Sequence, residues 1–176
     1  MRLFALSGYR LGGAPREVRL VYTAFLGFTL VGLVTIGLFQ AVQIGIRLSE
    51  VAAYYHGGET ETTMTFPKTF IQLLEVTHFH AFIMGVVFLI LGHLTLATGL
   101  TNSWKAGLLL SAFVGSLGDL AGGWLIRYVS TGFATLQLLS WLTLWVGYGG
   151  MVVAAMWEMW GNPAGLPLPM RLPGQG

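Results

Sequence analysis

Four apolar stretches, at about 20–46, 70–100, 106–128 and 133–160, constrain this chain more than any other feature. Each exceeds the roughly 20 residues that an α-helix needs to cross the hydrocarbon core of a bilayer. The sequence therefore predicts an all-α integral membrane four-helix bundle. The separators are "RLSEVAAYYHGGETETTMTFPK", "TNSWK" and "VSTG". In the first of these, the Gly57-Gly58 pair and Pro67 predict a non-helical stretch towards its end. Composition agrees: 9% of the 176 residues are charged and 55% are hydrophobic, where a soluble domain carries roughly 25% charged residues.

Three parts follow along the chain: a basic N-terminal segment 1–19, a four-span domain 20–160, and a Pro/Gly-rich tail 161–176. The tail composition predicts a segment that is disordered or lies along a partner. The first span is too long for the apolar region of a signal peptide, so it reads as an uncleaved anchor. Arg2, Arg10, Arg16, Arg19, Lys105 and Arg171 fall on one side of the membrane. Arg47, Lys68 and Arg127 fall on the other. The excess of Lys and Arg on the cytoplasmic side of membrane proteins then places both termini in the cytoplasm and the loop around His56 outside.

Polar residues inside the spans are the functional signal, because ionisable side chains are expensive in hydrocarbon. Gln40 and Gln43 lie near the outer end of the first span. Glu75, His78 and His80 open the second, and Gln137 sits one turn into the fourth. Asp119 precedes Arg127 by eight positions, which puts it ~12 Å deep at 1.5 Å per residue. The inner half shows only His93 and the terminal Glu158. The polar groups thus gather in the outer half.

At about 100° per residue, Glu75, His78 and His93 share one helix face with Phe82, Val86 and Leu89, while His80 points ~160° away from His78. On an unbroken helix His78 and His80 cannot bind one metal. Glu75, three positions before His78, could accept a hydrogen bond from its imidazole and fix the tautomer. Gly85 and Gly92 flank this stripe and leave a groove. Gly118 and Gly122 of the third span form a small-xxx-small pair that suits simple helix packing and equally lets a membrane partner approach closely.

Three chemistries fit these residues. The first is b-type haem, with His78 and His93 as axial ligands ~22 Å apart along the axis and His80 as substitute for His78. No other span contains a histidine, so a sixth ligand must be Met151 or Met156, or come from a second copy or another subunit. The second is a non-haem iron, copper or zinc site in the outer half, with Glu75 and Asp119 supplying carboxylate and His78 or His80 imidazole, His93 being a further candidate metal ligand towards the inner side. The third is a cofactor-free polar network or a proton relay accompanying quinol oxidation.

Other features carry no chemistry. The chain has no cysteine, which excludes disulfides, thiolate nucleophiles, iron–sulfur clusters and covalently attached haem. The tryptophans and the Tyr54–Tyr55 pair read as interface anchors or packing residues. "GYGG" in the fourth span lacks the setting of a channel filter. No phosphate loop, nucleophile elbow or dinucleotide fingerprint occurs, no nucleic-acid partner is expected, and the catalytic residues stay unknown.

The run "FPKTFIQLLEVTHFH…LILGHLTLATGL", with "AAYYHGGE" upstream, resembles a family of small four-helix bacterial inner-membrane proteins. In them a T-H-x-H motif opens the second span and a G-H pair follows near its end. The resemblance implies this fold, that membrane, and importance for Thr77, His78, His80 and His93. The expectation is an inner-membrane haem b subunit that passes electrons within a larger complex or homo-oligomer, with quinone as a candidate donor or acceptor. An outer-leaflet metal protein and a cofactor-free accessory subunit are the alternatives.

Overall fold

A computed structural model describes residues 10–59 and 64–161. Arg2, Arg171 and nearly all of the expected tail lie outside the described residues. The fold is the expected all-α four-helix membrane bundle. Helix α1 (Arg16–Phe39) continues into a π-turn at Gln40–Ile44. A nine-residue helix α2 (Leu48–His56) follows, then a small antiparallel hairpin of β1 (Gly58–Glu59) and β2 (Met64–Thr65). Helices α3 (Phe70–Leu96), α4 (Asn102–Tyr128) and α5 (Ala134–Met156) complete the bundle, the last prolonged by a π-turn at Trp157–Gly161. The spans run 27 to 31 residues, or roughly 40–46 Å at 1.5 Å per residue.

Local chemistry sets the helix ends. Thr69 Oγ1 accepts from Gln72 N at 3.2 Å while Thr69 N donates to Gln72 Oε1 at 2.9 Å. This reciprocal cap starts α3 at the first residue after the Pro67 loop. Between α1 and α2 the chain turns at Gly45, whose φ of +93° suits glycine. The Glu50 carboxylate accepts from Ile46 N and Arg47 N, both at 3.0 Å, and so ties the turn to the first turn of α2.

That nine-residue helix is a correction to the sequence reading, which treats the first loop as a plain separator. Val51 and Ala53 are buried in it, and α2 lies across the ends of α4 and α5 remote from the N-terminus of α1, the end named outer from the charge-based expectation. There Ile44, Val51, Ile126, Ala134 and Trp141 form an apolar cluster. A larger cluster fills the other half around Leu26, Leu33, Leu91, Leu144 and Met151.

Helices α4 and α5 are joined by residues 129–133 and lie closest together. A Cβ on Gly115 would stand 2.6 Å from Leu144 N, and one on Gly147 would collide with the Ala112 backbone. Cβ atoms on Gly118 and Gly122 would collide with Ser140 and Gln137. The small-xxx-small pair is therefore taken up inside the chain by the Ser140 and Gln137 side chains of α5, and it offers no face to a partner. Helix α5 also touches α1, α2 and α3 and forms the hub of the bundle. At the inner end Arg19 donates to Gly12 O, Ala14 O and Met159 O at 2.7, 2.8 and 2.9 Å. It clamps the N-terminal segment to the end of α5.

A polar cavity in the outer half of the bundle

Four of the outer-half polar residues, Gln40, Glu75, His80 and Asp119, converge on a cavity of about 360 Å³ between α1, α2, α3, α4 and α5. Its walls are largely apolar or aromatic, among them Phe39, Tyr54, Tyr55, Trp124 and Trp141. Gln40 reaches it from the π-turn of α1, Glu75 and His80 from α3, and Asp119 from α4. Gln43 is exposed and is not part of it.

Asp119 is held by two donors from α5. Gln137 Nε2 and Trp141 Nε1 both donate to Oδ1, at 2.7 and 2.8 Å. Oδ2 is left as the atom that Asp119 offers to the cavity. Gln137 is fully buried and its Oε1 has no hydrogen-bond partner. Its carbonyl is sacrificed so that its amide N–H can face the carboxylate.

His80 is the histidine of α3 that looks inward. Its Nδ1 lies 2.9 Å from Val76 O. A carbonyl oxygen only accepts, so Nδ1 carries the hydrogen, and in the neutral imidazole the lone pair is on Nε2. Tyr55, outside the spans on α2, lies against Gly123 and lines the same space. Burial first, then the nearby Asp119 carboxylate, push its phenol well above the usual tyrosine range. It stays a neutral O–H donor at any physiological pH.

The mouth is braced by aromatic and basic groups. Lys68 Nζ sits 4.0 Å from the centre of the Tyr54 ring, a cation–π contact. Arg127 Nε donates to Lys68 O at 2.9 Å. Trp124 Nε1 donates to Thr77 Oγ1 at 2.7 Å, and its ring packs edge-on against Phe70 at 5.2 Å. Thr77 therefore fixes a wall of the cavity.

The remaining candidates are placed elsewhere. Because α3 is unbroken from Phe70 to Leu96, His78 and His80 do point to opposite sides, as the helical wheel requires. His78, His93, Phe82, Val86 and Leu89 are all exposed, so their face looks away from the chain's own helices. Glu75 lies at the cavity rim beside it. His93 Nδ1 is 2.7 Å from Leu89 O. Met151 is fully buried in the inner apolar cluster and Met156 packs against that cluster, so neither stands opposite His78 or His93. A haem held by those two histidines has no room between the helices of one chain. Among the described residues no three His, Asp or Glu side chains come close enough to share a metal ion.

Sequence reasoning named His80, Glu75 and Asp119 but missed Tyr55, Lys68, Trp124 and Trp141 as parts of the same space. The four-residue spacing of Val51 and Tyr55 in "VAAYY" was the available signal for a helix with one inward face. The tryptophans gave none, since an indole at a membrane interface and an indole against a carboxylate read alike.

An all-α multi-pass membrane protein with a polar cavity let into one end of its bundle is thus the class that fold and site define. The chain belongs to the Aq_1264_TM family, a transmembrane helical domain whose family model matches residues 45–166. That region starts beyond α1 and includes α2 to α5. The match bears out the sequence resemblance at the level of a membrane helical family. Comparison with curated proteins and with solved structures gives no significant match.

Proposed function

We propose that the chain is a redox-linked subunit of a bacterial inner-membrane complex whose outer cavity holds a quinol head group and accepts its protons. One observation supports this above all. A membrane-embedded cavity of about 360 Å³, walled by aromatic and aliphatic side chains, contains the free Nε2 of His80 and the free Oδ2 of Asp119. That volume is at the low end for small-molecule sites. It suits one substituted ring and is too small for a tetrapyrrole.

Oxidation of a quinol to the quinone releases two electrons and two protons. His80 Nε2 is a base whose tautomer is fixed by Val76, and Asp119 is oriented by Gln137 and Trp141. A base needs to lie within hydrogen-bond reach of the proton it takes, and the two groups offer that reach from two walls. Tyr55 supplies a neutral O–H donor to the oxygen of the quinone product. The two electrons would leave in two successive single-electron transfers to a carrier of the b-type haem class in an adjoining subunit.

The purified chain in lipid nanodiscs tests the reading by titration with a short-tailed quinone. Saturable quenching of tryptophan fluorescence is expected, since Trp124 and Trp141 line the cavity. His80→Ala and Asp119→Asn should weaken it at least tenfold, and His78→Ala should leave it unchanged. Quenching that rises without saturation, or equal effects of His78→Ala and His80→Ala, would defeat the reading. Haem bands in a reduced-minus-oxidised spectrum of the chain alone would overturn the placement of the carrier in a neighbour.

A further inference from the structure

The outward face of α3 carries exposed ionisable side chains within a span. His78 lies eight residues into the helix, ~12 Å from its start at 1.5 Å per residue. It and Glu75 are exposed, and among the described residues neither makes a hydrogen bond or ion pair. Ionisable side chains in a span face a protein interior or an aqueous cavity, because hydrocarbon leaves them unsolvated. Lipid alone is therefore a poor neighbour for this face.

The same face carries Ala81 and Gly85, four apart and both exposed. A Cβ on Gly85 would meet nothing within 4 Å inside the chain. This small-xxx-small pair, unlike Gly118 and Gly122, is not used up by the chain's own packing. It lets another helix approach closely. Around it stand His78 above, Phe82 at the side with 72% of its surface exposed, and Leu89 below.

We infer that this face pairs with the same face of a second copy of the chain. Two copies inserted with one topology can be related by a two-fold axis along the membrane normal, and α3 then runs parallel to its mate. Such a contact is self-complementary: what one copy offers, the other must receive. Glu75 and His78 meet that condition. They are three residues apart, so Glu75 of each copy comes beside His78 of the other, and the carboxylate and imidazole satisfy each other twice. Ala81 and Gly85 below them supply the close approach that brings the four groups into range. The inference shares Glu75 with the cavity rim, but His78, Ala81 and Gly85 do not line the cavity.

The absence of cysteine makes the test direct. A single Phe82→Cys variant of the full chain, oxidised in native membranes, should give a disulfide-linked product of twice the chain's mass. A single Leu142→Cys variant, on the exposed side of α5, should give none. Gly85→Leu should cut the Phe82→Cys product at least tenfold while preserving the chain's melting temperature, because the new side chain meets open space. Glu75→His should weaken the pair, and the swap Glu75→His with His78→Glu should restore it. Equal cross-linking at Leu142, a product of a different mass at Phe82, or indifference to Gly85→Leu would each overturn the inference.

Discussion

The Asp119 carboxylate gives the most quantitative handle on the outer half. It receives Trp141 Nε1 at 2.8 Å and Gln137 Nε2 at 2.7 Å on the same oxygen. Hydrogen bonds to charged groups contribute about 1.5–3 kcal/mol in soluble proteins. Double-mutant cycles in a membrane protein average roughly 0.6 and reach about 1.7 kcal/mol, because the unfolded chain in lipid also finds partners. A short bond from a buried indole to a carboxyl oxygen belongs near the top of that range. The coupling between Trp141→Phe and Asp119→Ala should therefore be about 1–2 kcal/mol, or roughly 5- to 30-fold in the unfolding equilibrium. The single changes should also be ordered. Trp141→Phe leaves Asp119 with Gln137, whereas Asp119→Ala strands two buried N–H donors at about 1–3 kcal/mol each. Reversible unfolding in mixed detergent–lipid micelles measures all four corners of the cycle. A coupling under about 0.3 kcal/mol, within the usual additivity of independent sites, or a Trp141→Phe more damaging than Asp119→Ala, refutes this account of the carboxylate.

Gly45→Ala should lower stability by about 1–3 kcal/mol, since φ is +93° and the new Cβ would collide with the Glu50 carboxylate; thermal unfolding checks it, and an unchanged midpoint counts against the strain. A reporter that is active only in the cytoplasm should be silent when fused after Gly58 and active when fused after Thr101; activity at Gly58 would reverse the orientation drawn from the charges.

The four spans were legible because hydrocarbon imposes a single demand, some 20 apolar residues, that composition alone meets. The wheel also separated His78 from His80 correctly. It did not reveal which of them looks inward, because α3 is apolar all round: Leu73 and Leu91 are buried while Leu74 and Leu89 are exposed. In water the polar side of a helix marks its outside. In lipid that cue vanishes, and the neighbours decide. The Asp119–Gln137–Trp141 cluster was hidden for a related reason. Its members lie on two helices whose relative register depends on Gly115, Gly118, Gly122 and Gly147 meshing, and one sequence does not state which glycine meets which residue. Helix α2 was missed because a nine-residue helix has too few turns for its periodicity to stand out from a polar loop.

The hub position of α5 fixes an order of events during synthesis. Helix α1 leaves the ribosome first, yet its main contacts are with α5, which leaves last. Until then α1 has lipid for company on nearly every side, and its surface is suited to the wait: only Leu26 and Leu33 of the α-helix proper are buried in the finished bundle. The chain thus inserts a self-sufficient anchor, builds the α3–α4–α5 unit beside it, and closes on the anchor at the end. A nascent chain truncated before residue 131 should hold α1 loosely, free to diffuse about its tether. The arrival of the last helix converts a string of independent spans into one body.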